Sequence, residues 1–184
     1  MRIYQQGIEI AISGKRHTIP FATVSEVTTK ITHVYMRNGN YLGSQIDLQL
    51  KVDEKYRVIQ WSLEYRKGGR QERLLNAVLS NLASSVGERL KSELLEKGRL
   101  DWTANAHLTS DGLMIEDPFT HRFIHYEDIE ECRLEESTLR IFRTSDVLPV
   151  FECRYDCPNA SAYLYLLQLL SRSARKISTE MQMV

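Results

Sequence analysis

Two stretches, RIYQQGIEIAISGKRHTIPFATVSEV from Arg2 to Val27 and HLTSDGLMIEDPFTHRFIHYEDIEEC from His107 to Cys132, read as one strand-and-turn unit written twice. They align without a gap at a spacing of 105 residues, placing Gly7 on Gly112, Ile10 on Ile115, Ile19 on Ile124 and Glu26 on Glu131. Other pairs keep their physical type: Ile3 with Leu108, Ile8 with Leu113, Phe21 with Tyr126, Val24 with Ile129, and Val27 with Cys132. Apolar and turn positions coincide throughout, and those are the positions a fold dictates. Two copies of one small β-rich module are expected. The coincidence says nothing of chemistry.

The elements around each copy follow from spacing. After the first copy, the β-branched run VTTKITHVYMR leads to Asn38–Gly39, a hairpin signal. Gln45 to Val52 alternates, with Ile46, Leu48, Leu50 and Val52 on one side, as a strand solvated on one face does. Arg57 to Tyr65 repeats the pattern and ends at a Lys67–Gly68–Gly69 turn. From Gln71 to Lys97 the residues Leu75, Leu79, Leu82, Val86, Leu90 and Leu94 recur at helical spacing, Glu93 and Lys97 make an ion pair, and Gly98 supplies the stop. Such a helix is longer than one small sheet can cover, so its far end is expected to reach the second module or a partner. Arg99 to Asn105 is expected as a connector.

The second half is expected to hold strands at Leu113–Glu116, Arg122–Tyr126, Ile129–Leu134, Leu139–Arg143 and Val147–Arg154. Asn159 caps a closing helix from Ala160 to about Ile177. The helix carries a wide apolar surface of Tyr163, Leu166, Leu167, Leu170 and Ala174, broadened by Tyr165 and Leu169. It is expected to pack within the chain; a dimer seam is the other reading. The residues after Ile177 carry no pattern and are expected to fray.

Composition narrows the function classes. With 24 basic and 24 acidic residues in 184, formal net charge is zero, and no long-range field draws the chain to nucleic acid. The 42% hydrophobic and 26% charged content is that of a globular protein, with no apolar window long enough for a transmembrane helix and no secretory signal in MRIYQQGIEI. Three cysteines, Cys132, Cys153 and Cys157, argue against a disulfide framework and fit a cytoplasmic setting. A zinc site would need a fourth ligand and a tighter knuckle. Gly68–Gly69 lacks a phosphate-cradling pattern, Ser84, Ser85 and Ser110 lack a nucleophile-elbow context, and the glutamates lie in solvated runs. No catalytic residue and no cofactor is assigned.

Ile19-Pro-Phe21-Ala-Thr-Val24 and Ile124-His-Tyr126-Glu-Asp-Ile129 share an apolar–x–aromatic–x–x–apolar signature after a strand. This resembles the motif of bacterial pleckstrin-homology-like domains, in which a strand runs through an aromatic turn into the next strand. Phe21 and Tyr126 match the aromatic, Val24 and Ile129 the apolar position, and Asp128 the turn acid, for which the first copy has Thr23. The resemblance implies an α+β fold of two such modules in tandem, 1–98 and 99–184, each a bent antiparallel sheet or partial barrel closed by a C-terminal helix. It implies a non-enzymatic binding or scaffold protein acting through protein partners or self-association, cytoplasmic or at the inner membrane face. Two alternatives stand beside it. One is a peripheral module holding anionic lipid headgroups through a basic strand-connecting loop at Lys15 and Arg16, with Lys67, Arg70 and Arg73. The other is a metal-dependent enzyme using His121 and His125, which lie on one face of a strand near His107 or Glu116.

Overall fold

The computed structural model describes residues 2–4, 6–12, 15–52, 55–64, 70–117, 120–135 and 137–182. The fold is mixed α+β, with two α-helices and four antiparallel sheets, none of them closed into a barrel among the described residues. Packing divides the chain into two compact units, residues 1–86 with 156–162, and residues 87–155 with 163–184.

In the first unit, β1 (Arg2–Tyr4), β2 (Gly7–Ile12) and β3 (Lys15–Pro20) form a meander. A 3-10 turn at Phe21–Thr23 then leads into a second meander of β4 (Val24–Tyr35), β5 (Tyr41–Val52) and β6 (Lys55–Glu64). The expected alternation in β5 is present: Ile46, Leu48 and Leu50 are buried, while Gln45, Asp47 and Gln49 are half-buried. Helix α1 (Arg70–Lys97) buries Leu75, Val78, Leu82 and Val86 in this unit, with Leu79 at the edge of the stripe. Lys15 and Arg16, expected in a loop, open β3 instead, where their backbones pair with Ile12 and Ala11.

The last turns of α1, where Leu90 and Leu94 are buried, belong to the second unit. The Glu93–Lys97 pair closes to 2.6 Å, and the Gly98 N–H bonds to the Leu94 carbonyl at φ +71, a left-handed stop that a side chain would strain. A four-stranded meander follows: β7 (Arg99–Thr103), β8 (Ala106–Thr109), β9 (Gly112–Asp117) and β10 (Thr120–His125). The expected connector is thus a strand. Leu100 and Trp102 alternate inward, and Trp102 stacks on Tyr163 at 5.1 Å and tilts against Phe151 at 5.1 Å. Tyr163 donates its hydroxyl to the Asp101 carbonyl at 2.7 Å, which fixes the closing helix to β7.

A second 3-10 turn, Tyr126–Asp128, leads into β11 (Ile129–Glu135), β12 (Thr138–Arg143) and β13 (Phe151–Arg154). The last strand is shorter than expected. Ser145 turns with φ +73, Asp146 pairs with Arg143 at 3.0 Å, and Val147 and Leu148 stand 92% and 77% exposed before Pro149, so an apolar run here is loop. Helix α2 (Ala160–Gln182) extends past the expected end at Ile177. Its residues Tyr163, Leu166 and Leu167 are buried, and Tyr165 donates to Glu88 at 3.0 Å, both partners lying in the second unit.

Among the described residues, the two quoted stretches share several local features. β2 and β9 start at Gly7 and Gly112, β3 and β10 end at Pro20 and His125, and each 3-10 turn opens on a buried aromatic, Phe21 or Tyr126. Val24 and Ile129 are buried, and the ladder shifts register between Val24 and Glu26 as it does between Ile129 and Glu131. The aromatic N–H bonds to the carbonyl just before the glycine, Phe21 to Gln6 at 2.9 Å and Tyr126 to Asp111 at 3.4 Å. A Cβ on Gly7 would sit 2.6 Å from the Ile19 carbonyl oxygen, and one on Gly112 would sit 2.3 Å from that of Ile124. Only a bare backbone allows this approach.

Asn159 departs from its expected role. It precedes α2 but has φ +58, its N–H bonds to the Val27 carbonyl at 2.7 Å, and its Oδ1 accepts the Val27 N–H at 2.9 Å. Both partners lie in the first unit. The side-chain amide thus satisfies the outer edge of β4 as a short strand would, because asparagine tolerates the left-handed region and carries its own carbonyl.

Two expectations follow. Gly7→Ala and Gly112→Ala should each lower unfolding free energy by about 3 kcal/mol in urea titrations, since a backbone carbonyl has to move. Asn159→Gly keeps the left-handed backbone and loses only the side-chain bond, whereas Asn159→Ala loses both. Alanine should therefore cost about 1 kcal/mol more than glycine on the same titration.

Candidate functional site

A cleft of about 470 Å³ lies in the second unit between the β9–β10 hairpin, the Tyr126–Asp128 turn and the C-terminal part of α2. It is lined by Ser110, Asp111, Phe123, His125, Tyr126, Glu127, Ala174, Ile177 and Ser178. Strand alternation builds one wall. On β10, Ile124 turns inward opposite Leu113, which leaves Phe123 and His125 on the other face. Their rings meet edge to face at 4.8 Å. Phe123 lies where a Cβ on Gly112 would be, its Cζ 2.8 Å from that position, so the bare glycine seats the ring.

Tyr126 forms the rear of the cleft. Its hydroxyl donates to the Thr109 carbonyl at 2.7 Å, and Thr109 Oγ1 accepts the N–H groups of Asp111 and Gly112 at 3.3 and 3.2 Å. One tyrosine therefore clamps the β8–β9 turn that carries Ser110 and Asp111. Burial, with a smaller contribution from the Asp111 charge, pushes the Tyr126 phenol well above the usual tyrosine range, so it stays a neutral donor. Opposite, Ile177 is 56% exposed on α2, and the Ser178 hydroxyl donates to the Glu127 carboxylate. The cleft thus combines exposed apolar side chains, Phe123 and Ile177, with two acidic rim residues, Asp111 and Glu127.

The basic residues expected to hold an anionic headgroup fall on two elements of the first unit. Lys15 and Arg16 begin β3, with Arg16 exposed; Arg70 is the first residue of α1 and Arg73 is exposed one turn later. Lys67 lies outside the described residues. The expected histidine pair does share a face of β10, but four residues of strand separate His121 from His125 by about 13 Å, too far for one ion. His121 pairs in register with Glu116, and buried His107 lies 3.9 Å from the Glu116 carboxylate. Among the described residues no group of three or more His, Cys, Asp or Glu could hold a metal ion. Cys132, half-buried on β11, has its thiol pushed up to about 12 by burial and by the Glu131 charge, which leaves it a poor nucleophile.

The sequence signal for the cleft was present in the order His121-Arg-Phe123-Ile-His125, where two adjacent aromatic and aliphatic residues must face opposite ways. Nothing local shows that Ile177, 54 residues later, comes to the same place as Phe123. Set beside known proteins, the chain matches no described family and no characterised protein.

Tyr126→Phe should cost about 1 kcal/mol by removing the bond to Thr109. Its pH dependence carries the sign. A phenol whose folded value is raised gives stability that is full below the ordinary tyrosine range and is lost as pH climbs above it. The difference in unfolding free energy between the wild type and Tyr126→Phe should accordingly shrink between about pH 9 and pH 11.

Proposed function

We propose that the chain is a non-enzymatic binding or scaffold protein of two pleckstrin-homology-like modules, and that its second module docks a segment of a partner protein in the Phe123–Ile177 cleft. The matching geometry around Gly7 and Gly112, with a buried aromatic at the head of each 3-10 turn, supports two copies of one module. The observation that carries the docking proposal is the make-up of the cleft. Phe123 and Ile177 offer apolar surface to solvent, Asp111 and Glu127 flank it, and the walls are held by strand pairing and the Tyr126–Thr109 bond. A rigid apolar floor with an acidic rim suits an aliphatic or aromatic side chain next to a lysine or arginine.

Selection of random peptides on the purified protein tests this. The recovered sequences should pair an apolar residue with a neighbouring basic one. Phe123→Asp and Ile177→Asp should each weaken a selected peptide at least about tenfold, from the loss of one buried apolar contact, while thermal unfolding stays within a few degrees. Selected peptides that are acidic, or that bind these variants unchanged, would remove the cleft from consideration.

A further inference from the structure

The tip of the β4–β5 hairpin in the first unit has a chemistry that the cleft does not share. Thr29 is the last buried residue of β4; from Lys30 to Asn40 every residue is half-buried or exposed. Val34, Tyr35 and Met36 are consecutive at its end, 42%, 59% and 49% exposed. The ladder shifts register here, with the extra residue on β5, so alternation along β4 still sends Val34 and Tyr35 to opposite faces, and Met36 enters the turn. On the returning strand Tyr41 stands opposite Tyr35 in register, followed by Leu42.

We propose that this tip is a membrane-interface anchor, which dips Val34, Tyr35 and Met36 into the headgroup region of a bilayer containing anionic lipid. At Val34 the sheet still has three strands, Gly43 pairing with both Val34 and Glu64, and a globular partner covering one face of it would leave either Val34 or Tyr35 in water. A bilayer surrounds the tip and takes up both. Charge points the same way. Between Glu26 and Asp47 the chain has no acidic residue, while Lys30 and Arg37 fall within that interval of an otherwise charge-balanced protein; the one acid paired alongside is Glu64, opposite Gly43. Cations close to an anionic leaflet are attracted, and tyrosine favours the boundary between hydrocarbon and water.

The backbone is also prepared to leave water. The Gly39 N–H bonds to the Met36 carbonyl at 2.9 Å, the Met36 N–H to the Asn40 carbonyl at 2.7 Å, and the Asn40 N–H to Asn38 Oδ1 at 3.1 Å. A turn that satisfies these groups internally loses little when its hydration is removed. No helix among the described residues is long and apolar enough to cross a membrane, so the attachment is to one surface, with a depth of about 5–10 Å.

Flotation of the full chain with phosphatidylcholine vesicles, with and without about 30 mol% phosphatidylserine, tests the proposal. The wild type should float with the anionic vesicles and lose that association as salt rises. Met36→Asp and Tyr35→Asp should each reduce partitioning by about tenfold or more, Arg37→Glu by a smaller factor, and all three should unfold at the wild-type temperature because the positions are exposed. Arg16→Glu, on β3, should change nothing. Absence of vesicle binding would overturn the proposal, as would binding lost in Arg16→Glu but kept in Met36→Asp. Self-association of the wild type that Met36→Asp abolishes, without vesicle binding, would assign the tip to a protein interface instead.

Discussion

The close approach of two bare glycines to a neighbouring carbonyl is the constraint on which each unit depends. Gly7 lies against the Ile19 carbonyl and Gly112 against that of Ile124, at distances no side chain permits. The approach draws the end of the hairpin over its start, and the next aromatic then closes the loop by bonding its N–H to the carbonyl preceding the glycine. With its backbone tied there, the ring of Phe21 or Tyr126 has only the interior to occupy. The 3-10 turn and the bulge after it redirect the chain into the next meander. Curvature therefore comes from a backbone contact and is secured by burial of one aromatic. In the second unit the same contact has a further effect, since the space above Gly112 is what seats Phe123 in the cleft.

Much of this was legible in the sequence, for reasons that separate what local pattern encodes from what it does not. Strands such as β5, buried on one face, announce themselves by alternation, and α1 by its leucine spacing and its Gly98 stop. The inward pins Phe21, Val24, Tyr126 and Ile129, all buried, stood at matching positions of the two similar stretches. The failures arose where an apolar pattern was short or where backbone conformation overrode it. β7 has only Leu100 and Trp102 to signal it, and its stability comes from Phe151 and Tyr163, distant in sequence. Val147 and Leu148 look like the start of a strand, yet the left-handed Ser145 and the imino acid at Pro149 break the ladder on both sides.

Asn159 illustrates a different kind of ambiguity. An asparagine before a helix has two uses for its side-chain carbonyl: to cap the helix or to imitate a strand. Sequence favours the first because the helix is adjacent. The structure takes the second, because the edge of β4 at Val27 would otherwise leave a donor and an acceptor unpaired beside a buried side chain.

On the proposed reading of two copies, equivalent positions have been given different surfaces, and the differences are confined to places the shared backbone does not need. Where the second copy has Phe123 and His125, the first has Thr18 and Pro20, neither able to build an aromatic wall. Where the first has a twelve-residue β4 leading to Val34, Tyr35 and Met36, the second has a seven-residue β11 bearing the Arg133–Glu131 pair, with Arg140 of the next strand bridging Glu135 and Glu152. A charged, short hairpin gains nothing from leaving water, and a cleft without an aromatic wall holds no apolar side chain. Neither copy could take over the other's surface without rebuilding those residues. The glycine contact, common to both, tolerates no variation, and the solvent-facing positions around it are free to vary. Divergence of function between the two units would therefore be expected at Phe123 and at Tyr35 before it is expected anywhere in the core.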